Sequence, residues 1–458
     1  MKCIAVLLMS FVTICCAAPT SKPDYQLTQS FVLTNINVVD VEAKRIHSNQ
    51  TLVVDNGTIA QIADTSIAEQ HDQFADHLLI DGKNGYVTPG LIDMHVHIYE
   101  PAAYLMTLSH GVTHVRIMNG IPAQLRWQRA IAAGELVGSS SSVSSPIISG
   151  YDDAQLHHVA HTAEQARQAV RQYHDDGYDL IKAYGNLNQS ALIALVAEAR
   201  KLNIAVAKHG PHGSGDMTLA ELAGLQSFEH VEDIFQGPMN YQFDPHYLDK
   251  AVAAISKTQV PVTPTLNIFD QLTQLSQGKQ AYLDSIPTRY TPDIIAFEAS
   301  GNQVKRWLDA SEAMANHNQR VLEFLLFITK KLKEMGVPLL VGSDSGVLLS
   351  PHGLATHNEM ALMQRAGLSS FDVLQAATIN AAKALKMEHQ LGRIALGNQA
   401  DFIYSQVNPI DDLSALKEPD AVIKNGHWYS HEQLVAMREQ AIEERSIWRE
   451  IRVLFEAI

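Results

Sequence analysis

The stretch Gly90–Glu100, GLIDMHVHIYE, places two histidines, His95 and His97, one residue apart in an apolar, β-branched run. In a strand, side chains at i and i+2 point to the same side. Both imidazoles therefore face one space, the arrangement a shared metal ion requires. Four further residues of metal-compatible type end or occupy β-rich runs downstream: Lys182 in YDLIKAYG, His209 in IAVAKHG, His230 in QSFEHVED and Asp344 in PLLVGSDSG. Taken singly, each has a plainer role. A strand-end histidine is more often a satisfied polar residue than a ligand, and an aspartate between two serines is usually a turn residue. Lys182 is the odd one, because Ile181 and Ala183 flank it in a run that should be buried. A lone buried ammonium is costly. It could reach water, pair with an acid, or react with CO2 to give a carbamate, an anionic oxygen ligand able to bridge two divalent cations. Six such side chains at five strand ends form a joint signal that none carries alone.

The elements that must position these residues are legible in the surrounding pattern. Short β-rich runs alternate with segments of helical spacing such as TAEQARQAVRQYHDDG and QSALIALVAEARKLN. Eight strand–helix units of this kind define an α/β fold, a (β/α)8 TIM barrel, in which chemistry gathers at the C-terminal ends of the strands. Smaller β-rich pieces flank it. The first contains Asn56-Gly57, a hairpin-turn pair, between two apolar runs. The stretch 270–336 is too long for a simple βα connection and is expected to form helices over the barrel mouth. The tail from 431 to 458 reads as one amphipathic C-terminal helix, with packing as its default role.

Composition narrows the function without naming it. The 458 residues are 46% hydrophobic and 18% charged, enough for one large domain and a companion. Lysine and arginine number 34 against 49 acidic residues, a net charge of -15 without basic blocks. That balance argues against nucleic acid and anionic membrane surfaces. The opening MKCIAVLLMSFVTICCAAPTSKPD has the form of a secretory signal peptide over residues 1–18, so the expectation is export, periplasmic or secreted. The apolar run is short for a membrane span, and no membrane anchor is expected. All three cysteines, Cys3, Cys15 and Cys16, fall in this segment. The remainder can form no disulfide and offers no thiolate. Any metal must be held by His, Asp, Glu or a modified Lys.

The order His-x-His, Lys, His, His, Asp resembles the binuclear metal pattern of the amidohydrolase superfamily. The segments VTPGLIDMHVH, GVTHVR, GYDLIKAY, FEHVED, GSDSG and TINAAKAL…LGRIALGNQADFI are similar to its imidazolonepropionase-related branch, which includes secreted Xaa-Pro-type metallo-dipeptidases. The likeness spans nearly all of residues 30–430. It departs at Gln399, where a lysine is common, and at His114, where a small residue is usual. The resemblance implies one discontinuous β-sandwich domain built from residues 26–86 and 390–430, beside a barrel over 87–389. It implies that His95, His97 and Asp344 hold one metal, His209 and His230 a second, and carbamylated Lys182 bridges both. Zinc suits imidazole and carboxylate ligands best. Two such cations activate a water for attack on an amide carbonyl, and Asp344 would carry its proton to the leaving amine.

Around the metals the reading is more open. Tyr184 shares the face of Lys182 and could contact substrate, or simply pack. His352 follows Asp344 in SPHGLATHNE and is a candidate substrate contact; His212, close behind His209, is a lesser one. Arg116 in GVTHVRIM could bind a substrate carboxylate, although an ion pair within the fold is its commoner role. The expected activity is hydrolysis of a C–N amide in a dipeptide, an N-acyl amino acid or a related small molecule. The alternatives are opening of a cyclic amide or lactone on the same site and, less favoured, a barrel that only binds. A homo-oligomer is compatible with all of them.

Overall fold

The computed structural model describes residues 29–65, 77–154 and 156–457. The signal segment expected at 1–18 and the first residues of the expected sandwich, 26–28, lie outside them. The fold is mixed α/β, with its strands in three sheets.

The first sheet is built from both flanks of the chain. It contains β1 (Phe31–Asp40), β2 (Arg45–Asp55), β3 (Thr58–Asp64), β4 (Leu78–Asp81) and β5 (Tyr86–Pro89) from the N-terminal side. After the central strands β6–β14, the chain returns to it as β15 (Phe402–Ser405), β16 (Ala421–Lys424) and β17 (His427–Ser430). The order is β17-β16-β15-β5-β1-β2-β3, with β4 pairing β1. Phe31, Leu33, Ile36 and Val38 of β1 and Phe402 and Tyr404 of β15 meet in one apolar cluster. Two hairpin turns lock the flanks together. Asn56-Gly57 joins β2 to β3 and Asn425-Gly426 joins β16 to β17, all four residues with positive φ as the two-residue turn demands. The turns abut so closely that a Cβ on Gly57 would lie 2.7 Å from the Asn425 carbonyl oxygen, and one on Gly426 2.7 Å from the Gly57 Cα. Nearby, the buried Lys424 Nζ sits 2.6 Å from Asp401 Oδ2, whose other oxygen accepts the Asn425 N–H at 2.7 Å.

The central strands are parallel. Here β6 (Leu91–Val96), β7 (Val112–Ile117) and β8 (Ser140–Val143) form one sheet. A second runs β10-β9-β11-β12-β13-β14, from β9 (Ile147–Ser149), β10 (His157–Val159), β11 (Leu180–Ala183), β12 (Ala205–His209), β13 (Ser227–Glu229) and β14 (Val262–Thr263). Single parallel bridges connect the pieces: Ser144 with Leu180, Val262 with Leu339, and Ser345 with Val96. The run PLLVGSDSG is therefore not a regular strand. It is tied at Leu339 and Ser345, and between them Asp93 Oδ1 accepts the Ser343 N–H at 3.0 Å. Helices Ala163–Asp175 and Gln189–Leu202 form where the apolar spacing placed them. Thr162 and Gln165 make a reciprocal capping box on the first, and Asn188 caps the second.

Between β14 and the Asp344 segment the chain is helical, as Leu266–Ser285, Asp293–Glu298, Val304–Leu308 and Glu312–Glu334. The tail differs from the single helix expected. It forms His431–Glu443 and Ile447–Phe455, broken at Arg445, whose guanidinium donates to the Ile442 and Thr291 carbonyls. The break turns the last helix so that buried Glu450 accepts the Asp293 and Ile294 backbone N–H groups, at 3.2 and 2.6 Å. No helix among the described residues is long and apolar enough to cross a membrane.

The Lys424–Asp401 pair yields the first prediction. Asp401→Ala strands a buried ammonium and an unpaired Asn425 N–H at the junction of the two flanks. Loss of one partner of a buried pair costs about 3–5 kcal/mol, so the melting temperature should fall by many degrees. Unchanged thermal and urea transitions would mean that the junction does not depend on this pair.

Candidate metal centre

His95 is the next-to-last residue of β6, and His97 follows the strand on the same side. Lys182 lies on β11, His209 ends β12, His230 follows β13, and Asp344 lies within the bridged segment, just before Ser345. They converge. The ring centroids of His95 and His97 are 5.4 Å apart, of His95 and His230 4.8 Å, and of His209 and His230 4.6 Å. Asp344 Oδ1 lies 2.9 Å from His97 Nε2 and 3.5 Å from His95 Nε2. These residues line a cavity of about 370 Å³ together with Tyr184, Glu232, Asp233 and Gln236. His230 and Asp344 hold positive φ values of 66° and 53°, an uncommon backbone state for non-glycine residues that clusters at functional sites.

The donor set passes a chemical test for divalent cations. Two groups of three ligand atoms lie within 4.8 Å of one another: His95, His230 and Asp344, and His209, His230 and Asp233. Asp344 Oδ1 and Asp233 Oδ2 face ring nitrogens, yet neither makes a hydrogen bond. Lys182 is 1% exposed and its Nζ also has no hydrogen-bond partner. Lone pairs and anionic oxygens that converge without bonding one another suit a shared cation. Burial supports the same protonation pattern. It lowers His230 to about 3, with help from the charges at His95 and Lys182, so its nitrogens stay available as ligands. Burial brings Lys182 down to about 8 despite Glu229. Asp344 is buried too, but the charges at His95 and His97 and the close approach of His97 Nε2 hold its carboxyl well below the usual range. Asp233 is pushed up to about 7 by burial and by its neighbour Glu232.

Outside the ligand ring, three side chains hold the ligands in place. Glu229 Oε2 pairs with His95 Nδ1 at 2.8 Å, which leaves Nε2 to face the cavity. His230 Nδ1 contacts Thr265 Oγ1 at 2.6 Å. Asp93 accepts the His95 backbone N–H at 3.1 Å and the Thr356 hydroxyl at 2.6 Å. Glu229, Asp233 and Asp93 were not singled out from the sequence. A signal existed for Glu229, since a glutamate inside a short buried strand is as anomalous as Lys182. Strand alternation hid it, because Glu229 and His230 should point to opposite faces. The positive φ at His230 lets both serve one site.

The substrate candidates divide. Tyr184 lines the cavity, its ring 3.9 Å from that of His209. Arg116 requires correction, because it does not reach the cavity. It is fully buried and donates to the Met94 carbonyl at 2.7 Å, to Gln226 and Ser227 at 2.8 and 2.7 Å, and to Glu229 Oε1 at 2.7 Å. It binds a carboxylate, but one belonging to the fold. His352 is likewise absent from the lining. It is buried, with Nδ1 2.9 Å from Ser345 Oγ. His114 bonds Ser142 Oγ at 3.0 Å and is buried away from the site. His212 is absent from the lining as well.

The Amidohydrolase family matches residues 86–429, and the chain belongs to that family. Among curated proteins it is similar to the ochratoxinase of Aspergillus niger, at 24% identity over 308 residues. That match covers 64% of this chain and 54% of the relative, so the chain spans about half of that protein's length. It is also similar to the imidazolonepropionase of Geobacillus kaustophilus (strain HTA426), 25% identical over 420 residues, 83% of this chain and 90% of the relative. Among solved structures, a bottromycin amidohydrolase superposes with a TM-score of 0.75 at 24% identity, covering 92% of each chain. A Xaa-Pro dipeptidase with bound methionine gives 0.66 at 22% identity, covering 88% of this chain and 100% of that one. Both structures share the fold.

The orienting role of Glu229 is testable. Glu229→Gln keeps size but weakens the grip on His95 Nδ1 and unpairs Arg116. Loss of such an outer partner costs about 10–100-fold in metal affinity. Competition with a chromophoric chelator should register that weakening. Wild-type affinity in the variant would show that His95 is oriented by other contacts.

Proposed function

We propose that this chain is a binuclear metal-dependent hydrolase that cleaves a C–N amide bond in a dipeptide, an N-acyl amino acid or a related small molecule. The observation that carries the reading is the convergence of four histidines and Asp344 around a buried, unpartnered Lys182. In this reading His95, His97 and Asp344 hold one cation and His209 and His230 the other. Asp233, 3.1 Å from His209 Nε2, is an additional donor beside the second. Lys182, as its carbamate, would offer an anionic oxygen donor beside both groups. Zinc fits the donors best. The three parallel bridges support reading the central strands as one closed (β/α)8 barrel, with residues 339–345 as its eighth strand and the flanking sheet as the companion domain. The leader-like start of the sequence supports export.

The cations supply Lewis acidity that lowers the pKa of a water and polarises the amide carbonyl. The side chains do the rest. Asp344 accepts the proton of the attacking water as its oxygen bonds to the carbonyl carbon. When the C–N bond breaks, Asp344 returns that proton to the departing nitrogen. The histidines that face Asp344 keep its carboxyl ionised and ready to accept. Tyr184 stacks on His209 and offers its hydroxyl to one end of the substrate. The same steps would open a cyclic amide or lactone, and a panel of dipeptides, acyl amino acids and lactones separates these substrates. A barrel that only binds has no need of the full donor set.

Two predictions follow from the roles assigned. Metal analysis of the purified protein should find two divalent ions per chain, and a chelator should remove activity. Lys182→Ala should lose most activity and regain part of it with short carboxylates plus metal. One ion per chain together with a fully active Lys182→Ala protein would replace the bridged pair with a single-metal site. Asp344→Asn should keep at least some metal while kcat/KM falls by about 10²–10⁴-fold, the scale of general acid–base loss. A metal-replete Asp344→Asn enzyme with near-normal turnover would mean that the proton travels by another group.

A further inference from the structure

A second cavity, of about 260 Å³, opens beside the metal centre and shares His97 and Val347 with it. Its character is different. Where the first is walled by imidazoles and carboxylates, this one is walled mainly by Ile294, Ile295, Ala299, Leu348 and Leu454. Tyr99 and Gln303 also border it, and one polar residue of the lining is buried. Asn119 is 8% exposed, and its side-chain oxygen has no hydrogen-bond partner.

The walls are held firmly for a surface site. Leu454 belongs to the last helix, Ile447–Phe455, which is anchored on two sides. Glu450 is fully buried and accepts the Asp293 and Ile294 N–H groups. Val453 packs against Ile121 and Ala123. The second of these anchors fixes the tail to the loop that carries Asn119, and the first fixes it to the segment that carries Ile294 and Ile295.

We propose that this cavity is the subsite for a bulky apolar side chain of the substrate, next to the scissile amide, with Asn119 meeting that side chain's single polar group. The proposal rests on the hydrolase reading and adds the substrate class to it. A substrate whose amide sits over the metals has its flanking side chain directed past His97 or toward Tyr184. A charged group entering this cavity would lose its hydration and meet no Asp, Glu, Lys or Arg in the lining. An apolar group gains by leaving water. An aromatic ring that ends in a hydroxyl or N–H, as in tyrosine or tryptophan, satisfies both the walls and Asn119. The C-terminal helix is thereby a determinant of specificity rather than mere packing.

The test uses the metal-loaded enzyme and the dipeptides Gly-Gly, Phe-Gly, Gly-Phe, Tyr-Gly and Gly-Tyr. The wild type should favour one aromatic series over Gly-Gly in kcat/KM by about 10-fold or more. Leu454→Trp and Ala299→Leu fill the cavity from two different elements, and each should cut that ratio by about 10-fold. Asn119→Leu should narrow the preference of tyrosine over phenylalanine. Calorimetric titration with 3-phenylpropionate against acetate gives a readout free of turnover, and both filling variants should weaken the former selectively. Thermal melts establish that each variant is folded. A wild type indifferent to aromatic side chains, or a ratio unmoved in either folded filling variant, overturns the subsite while hydrolysis stands. Failure to cleave any amide, with phenylpropionate binding still weakened by the fillers, sinks the hydrolase reading and leaves the subsite in place.

Discussion

The buried chain Arg116–Glu229–His95 is the constraint on which the metal centre rests. Arg116 and Glu229 are both fully buried, and their 2.7 Å contact joins β7 to β13. Glu229 then passes the restraint to His95 on β6 at 2.8 Å. A buried ion pair contributes little net stability, because desolvation offsets most of the Coulombic gain. Its value here is geometric. A planar guanidinium fixes the carboxylate, and the carboxylate fixes which imidazole nitrogen faces the cavity. Arg116 fills its remaining donors with Met94, Gln226 and Ser227, so little freedom is left in the arrangement. A ligand set drawn from six separate chain positions needs such a frame beneath it.

The charges above that frame are unbalanced. Burial makes His230 and His209 poor bases, so they bring lone pairs without positive charge. Asp344, Asp233 and Glu232 bring negative charge to the same cavity. Asp233 shows the consequence, its carboxyl pushed to about 7 by burial and by Glu232 beside it. Lys208 does not relieve it by direct contact, since its Nζ donates to the His209 and Gly210 carbonyls. Neutral nitrogens and crowded carboxylates together create a demand for cations that no side chain in the cavity meets. Lys182 is the one ammonium there, and converting it to a carbamate would deepen that demand.

The converging side chains were legible in the sequence as a joint pattern. Lys182, between buried apolar neighbours, is the anomaly of type against context, while His95 and His97 stand out by strand spacing and His209, His230 and Asp344 by recurring at successive strand ends. The hairpins at Asn56-Gly57 and the helices over 163–175 and 189–202 were legible for the opposite reason, since residue type and context agree there. What was hidden depends on distance in the chain. Arg116 looks the same in sequence whether its carboxylate partner is a substrate or Glu229, 113 residues away. The break in the tail is hidden too, because it is set by Thr291 and Asp293, far upstream, rather than by any breaker residue in 431–458. The irregular hold of residues 339–345 escaped for a third reason. PLLVGSDSG has strand-like residues, but its inward turn at Asp344 needs a positive φ that ends regular pairing.

The two kinds of support in this molecule match two different needs. Ligand geometry must be held tightly, and the residues that hold it, Glu229, Arg116 and Asp93, sit within or between the central strands. The apolar cavity is walled by helices that arrive from elsewhere: 293–298 from the long helical insertion, and 447–455 from the end of the chain. These walls are joined by Glu450 with two backbone N–H groups and by Val453 with Ile121 and Ala123. Of the converging side chains, His97 borders this cavity, while His95 and Lys182 do not. The flanking sheet makes this separation workable. It joins β5 of the N-terminal flank to β15 of the C-terminal one, and the chain beyond it brings Leu454 to the apolar cavity. The tail can then shape what enters while taking no part in holding the metals.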